Sequence, residues 1–84
     1  MKEITAYQVE KLSTWIKERE SLAKEIVEMV TSSQDIDIET LLKYNNSVDV
    51  LAGIERQIGL KVKKSENVIL ASKIWLDKSK TIRY

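Results

Sequence analysis

Apolar residues recur at helical spacing along most of this chain. Val9, Leu12, Ile16, Ala23, Ile26 and Val30 form one stripe, and Trp15, Leu22 and Met29 widen it on one side. The opposite face carries Glu10, Lys11, Ser13, Thr14, Lys17, Glu18, Ser21, Lys24, Glu25 and Glu28. The pattern predicts one amphipathic helix over 5–31, roughly 40 Å long at a rise of ~1.5 Å per residue. A compact chain of this length has a radius of gyration of only about 12 Å, so the rest of the chain must be organised around covering that helix. Thr5 with Gln8 three residues later forms a capping-box pattern, and Ser32-Ser33-Gln34 is a polar stop.

A second stripe reads Ile38, Leu41, Leu42, Val48, Leu51, Ala52, Ile54 and Ile58, extending toward Val62. Asp37 is placed to cap it, Glu39 suits its first turn, and Ile36 with Leu41 has the spacing of a hydrophobic staple. Tyr44-Asn45-Asn46 interrupts the apolar residues, but the stripe keeps phase across them, which favours one continuous helix over 38–58. Gly59 is the C-cap position. After Leu60–Lys64, Ser65 can cap a third helix over 66–78 with Val68, Ile69, Ala71, Ile74, Trp75 and Leu76 as its apolar surface. Residues 79–84 read as a frayed basic tail.

The expected architecture is therefore an all-α, single-domain chain: a long antiparallel helical hairpin with a third, shorter helix, a three-helix bundle expected to dimerise. A turn centred near Gln34 pairs positions equidistant from it. Trp15 then falls opposite Gly53, Arg19 opposite Asp49, Ala23 opposite Asn45 and Ile26 opposite Leu42. The first pair implies that Trp15 packs over Gly53. The second implies that Arg19, the only non-apolar residue on its stripe, finds a counter-ion and fixes register.

Composition narrows the chemistry. At 84 residues with neither Cys nor Pro, the chain lacks disulfides and stiffened loops, so self-association is the remaining stabilising device. The absence of Cys, of an apolar leader after Met1 and of a membrane-length apolar run points to a cytoplasmic protein with no membrane partner. With no His and no Cys, the usual general base, transition-metal ligands and thiol nucleophile are missing. Asp35-x-Asp37-x-Glu39 opens like a calcium loop, but Thr40 stands where Gly is required and Asn46 where Glu is required. No catalytic, cofactor-binding or metal-binding residue is expected.

The formal net charge of +1 conceals an asymmetry: residues 1–60 hold 7 Lys+Arg against 11 Asp+Glu, and residues 61–84 hold 7 against 2. Candidate partner-binding residues therefore concentrate in the last third: Lys61, Lys63, Lys64, Ile69, Lys73, Trp75 and Arg83. The function expected is protein–protein interaction, an adaptor or inhibitor that occupies a partner's surface. The alternative is a nucleic-acid-binding or regulatory protein using the turn 61–64 and the last helix. Gln57-Ile58-Gly59-Leu60 before that turn is a poor match to a helix-turn-helix, because Glu55 stands where a small residue belongs and Ser65 where an apolar one belongs.

Overall fold

The computed structural model describes residues 4–81, and their side chains as far as Lys78. Among them are three helices, α1 (Ala6–Thr31), α2 (Ile38–Ile58) and α3 (Glu66–Thr81), and no strand. Each boundary has a local cause. The Thr5 hydroxyl accepts the Gln8 N–H at 3.1 Å while the Gln8 side chain accepts the Thr5 N–H at 3.0 Å, which satisfies two donors that a helix start leaves orphaned. α1 ends with Ser33 in the left-handed region (φ 58°), where the Gln34 N–H reaches back to the Met29 carbonyl at 2.9 Å. Asp37 caps α2 through the Glu39 N–H, and Gly59 closes it at φ 81°, with the Gly59 and Leu60 N–H groups both donating to the Glu55 carbonyl. Ser65 caps α3 by accepting the Val68 N–H at 3.2 Å. α3 continues past Lys78 to Thr81, so residues 79–81 are helical where a frayed tail is expected; residues 82–84 lie outside the described residues.

α2 runs unbroken through Asn45-Asn46. Its buried residues are Leu41, Tyr44, Ser47, Leu51, Ile54 and Ile58, at successive spacings of 3, 3, 4, 3 and 4. That is a narrow seam at a/d spacing; of the expected stripe it leaves Val48 and Ala52 half-buried and Ile38 and Leu42 exposed. Ile38 is 55% and Leu42 59% exposed. The seam turns through Tyr44, Ser47, Leu51, Ile54 and Ile58, with Leu41 at its edge, which puts Ile38 and Leu42 on the far side of the helix. In α1 the buried residues are Arg19, Leu22, Ala23 and Ile26, while Val9 and Val30 at the stripe's ends are exposed.

α1 is the common partner. It packs on both α2 and α3, whereas α2 and α3 touch one another at few points. The main core sits toward the hairpin turn, where Leu22, Ala23, Ile26, Leu41, Tyr44, Val68 and Ala71 cluster with Ile36, Val48, Ile74 and Trp75 against them. α3 starts beside Glu20, whose carboxylate accepts from the Ser65 hydroxyl and from the Asn67 amide, and runs from there toward the turn, parallel to α1. The N-terminal half of α1 consequently has no α3 beside it. The connection 60–65 has no regular structure; it spans from the end of α2 back to Glu20, with Val62 half-buried. The Glu55 carboxylate holds it by accepting the Val62 N–H at 2.6 Å. The outcome is elongated, with a radius of gyration of 14.1 Å and extents of 45 × 27 × 18 Å.

Candidate functional site

Two places combine features that ordinary helix packing leaves unexplained. The first is a polar cluster at the junction of all three helices. Tyr44, among the largest fully buried side chains, donates its hydroxyl to the Val68 carbonyl at 3.0 Å and lies 2.8 Å from the Ser72 hydroxyl. A phenol has one proton, so with Val68 as its acceptor the Ser72 hydroxyl is the donor in the second bond. Burial pushes the Tyr44 phenol above its ordinary value; the Ser72 bond and the nearby Arg19 guanidinium pull the other way, and Glu20 adds to the rise. The phenol therefore stays neutral at physiological pH and acts as a hydrogen-bonding bridge from α2 to α3. Ser47, one turn along and also buried, satisfies its hydroxyl on the Tyr44 carbonyl at 2.6 Å.

Arg19 lies in the same junction, only 4% exposed. The expected ion pair with Asp49 does not form: Asp49 is exposed, and among the described residues the ion pair is Lys43–Glu39 and the buried Arg19 Nε has no hydrogen-bond partner. The expected cover of Gly53 by Trp15 does not form either. Trp15 is half-buried, and a Cβ at Gly53 would meet no atom within 4 Å. Both corrections have one cause. The seam of α2 runs through Tyr44, Ser47, Leu51 and Ile54, which puts Asp49 and Gly53 on the solvent side.

The second place is the surface of α2 and α3 that points away from α1. On α2 it shows Ile38 and Leu42, and on α3 Ile69 and Leu76, which are 44% and 54% exposed. Lys73 shares the outer side of α3, and Leu70, 46% exposed, flanks it. α3 is thus apolar on two sides: Val68, Ala71 and Trp75 face α1, and Ile69 and Leu76 face outward.

The residues singled out in the sequence divide accordingly. Ile69 and Lys73 lie on this outer side. Lys61, Lys63 and Lys64 are exposed together on the connection before α3. Trp75 is half-buried and packs on the core cluster, so it is chiefly a packing residue. Arg83 lies outside the described residues. Periodicity places Ile38 and Leu42 on the stripe facing α1 and Leu76 on the apolar surface of α3, and all three are exposed.

A solvent-open cleft of ≈ 650 Å³ lies between Asp49, Ala52, Glu55 and Arg56 of α2 and the turn residues Gly59, Leu60 and Lys61. Its mixed charges and the prior engagement of Glu55 with Val62 give it no single ligand preference. Among the described residues, no group of three or more His, Cys, Asp and Glu side chains could hold a metal ion, and no helix is long and apolar enough to cross a membrane. Comparison with protein-family models, with curated proteins and with solved structures finds no match to this chain.

Proposed function

We propose that this chain is a small non-enzymatic protein–protein interaction module, an adaptor or inhibitor that works by occupying a partner's surface through the α2–α3 face. The observation that carries the reading is the uncovered apolar group Ile38, Leu42, Ile69 and Leu76, each 44–59% exposed and all on the side away from α1. Large side chains arranged this way across two helices are costly in water and rarely lack a purpose. Lys73 among them and Lys61, Lys63 and Lys64 at one end would set encounter rate and orientation, while the apolar residues supply most of the binding energy.

The rival reading, nucleic-acid binding, is favoured by the three lysines on the connection, which are exposed and form no ion pair among the described residues. One binding series separates the two. Protein captured by the purified, nuclease-treated chain should be lost with Ile69→Glu and retained at reduced association rate with Lys61, Lys63 and Lys64 changed to Glu. Tight duplex binding that ignores Ile69→Glu and falls with salt at a slope near −0.9 per phosphate contact would replace this function with its rival.

A further inference from the structure

We propose that the occupant of the α2–α3 face is a second copy of this chain, turned end for end. The inference rests on reading that face as a protein-binding surface, and adds which protein it takes. Its basis is that the two ends of the face carry opposite charge.

α2 runs antiparallel and α3 parallel to α1, so the start of α2 and the end of α3 lie together at the hairpin turn, while the start of α3 beside Glu20, and the connection 60–65 that leads back to it from the end of α2, lie some 20 Å or more away by helix rise. Among the described side chains, Asp35, Asp37, Glu39 and Asp77 outnumber Lys43 and Lys78 at the turn end. At the other end Arg56, Lys61, Lys63 and Lys64 outnumber Asp49, Glu55 and Glu66, and Glu55 is already committed to the Val62 N–H. Between them lie the exposed apolar residues.

A strip that is acidic at one end, apolar in the middle and basic at the other complements itself after a half-turn. A two-fold axis through the middle sets the acidic end of each copy on the basic end of its partner, and it does so twice, as an isologous interface requires. Antiparallel α3 helices crossing near Ser72–Lys73 would bring Ile69 of each copy to Leu76 of the other. The arrangement turns three helices with one uncovered face into a closed six-helix body.

A single-ended partner needs only one of the two charged ends. The second copy uses both, and that difference is testable. Sedimentation equilibrium of the full chain should give a dimer at tens of micromolar, with dissociation rising with salt. Leu42→Glu or Ile69→Glu should raise the dissociation constant by about tenfold or more, while Val9→Glu, at an equally exposed apolar position on α1, should leave it unchanged. Circular dichroism should show each variant still helical.

The decisive arm is charge exchange. Reversing Lys61, Lys63 and Lys64 to Glu should weaken the dimer, reversing Asp35 and Asp77 to Lys, which leaves the Asp37 cap in place, should weaken it as well, and combining both sets in one chain should restore it. A monomer of 9.7 kDa at all these concentrations would overturn the inference, as would a dimer insensitive to Ile69→Glu or a combined variant weaker than either set alone. A monomer that still captures another protein in an Ile69-dependent way would overturn this inference while leaving the proposed function standing.

Discussion

Removing one oxygen from Tyr44 tests how α3 is held. Tyr44→Phe keeps the ring in its buried place and deletes the hydroxyl that bridges the Val68 carbonyl at 3.0 Å and the Ser72 hydroxyl at 2.8 Å. Each neutral hydrogen bond contributes roughly 1 kcal/mol net, which sets an upper figure near 2 kcal/mol. The loss is softened because the Val68 carbonyl keeps its helical partner and the freed Ser72 hydroxyl can turn back to it. The expected cost is therefore about 1.5 kcal/mol, a fall in Tm of roughly 6–12 °C for a chain of this size. Chemical unfolding followed by circular dichroism gives the number. A double-mutant cycle with Ser72→Ala should return a coupling of about 0.5–1 kcal/mol. The phenol also leaves a pH signature. Burial first of all holds its pKa above the ordinary value of 10.0 in the folded chain, so the folded state keeps the proton longer than the unfolded one. The associated stability is complete below the unfolded value and is lost as pH climbs through the folded one. Wild type should accordingly lose stability above about pH 10, and Tyr44→Phe should flatten that decline. A cost below about 0.3 kcal/mol, or full additivity with Ser72→Ala, would refute the bridge.

Three further outcomes follow from the geometry. Gly53→Ala should raise stability by about 0.5–1 kcal/mol, since the added Cβ meets nothing within 4 Å and removes a flexible residue from a helix interior, whereas Gly59→Ala at φ 81° should lower it by about 1 kcal/mol; paired urea melts decide both. Arg19→Met should leave stability unchanged or raise it by up to about 3 kcal/mol, because it removes a buried cation whose Nε has no partner; a drop of more than 1 kcal/mol in the same melts would show that the guanidinium is stabilised in place. Glu55→Ala should cost about 1 kcal/mol and speed amide exchange at Val62 more than at Val68, since only the former loses its carboxylate acceptor.

What could be read from the sequence was local. Thr5 with Gln8, Asp37, Gly59 and Ser65 act on backbone groups within four residues of themselves, so their identity was enough to place the helix ends. The seam of α2 was harder because two of its six buried members are polar. Tyr44 belongs to the Tyr44-Asn45-Asn46 interruption and Ser47 directly follows it, yet one reaches α3 and the other turns its hydroxyl back on its own helix. The outward position of Leu42 and Ile38 depends on where α3 lies, and no short-range signal encodes that. Arg19 was recognisable as an anomaly from its place on an apolar stripe. The absence of its pairing with Asp49 was not, since that follows from a rotation of α2 that carries Asp49 into solvent.

The docking of α3, mainly on α1 and on α2 through the Tyr44 bridge, also sets the order in which the molecule comes apart. The α1–α2 hairpin closes over a six-residue connection, 32–37, whereas the bonds that anchor α3 join positions 45 and 47 residues apart at Glu20 and 28 apart at Tyr44. Short closures form early and long ones late, so α3 should dock last in folding and leave first in native-state opening. Its amides should exchange with solvent at a lower free energy than those of Leu22–Ile26, and a protease should reach the irregular connection 60–65 before any site inside the hairpin. Because Ile69 and Leu76 belong both to this detachable helix and to the α2–α3 face, whatever seats there clamps α3 shut. At a hundredfold excess over its dissociation constant the occupant should deepen α3 protection by about 2.7 kcal/mol.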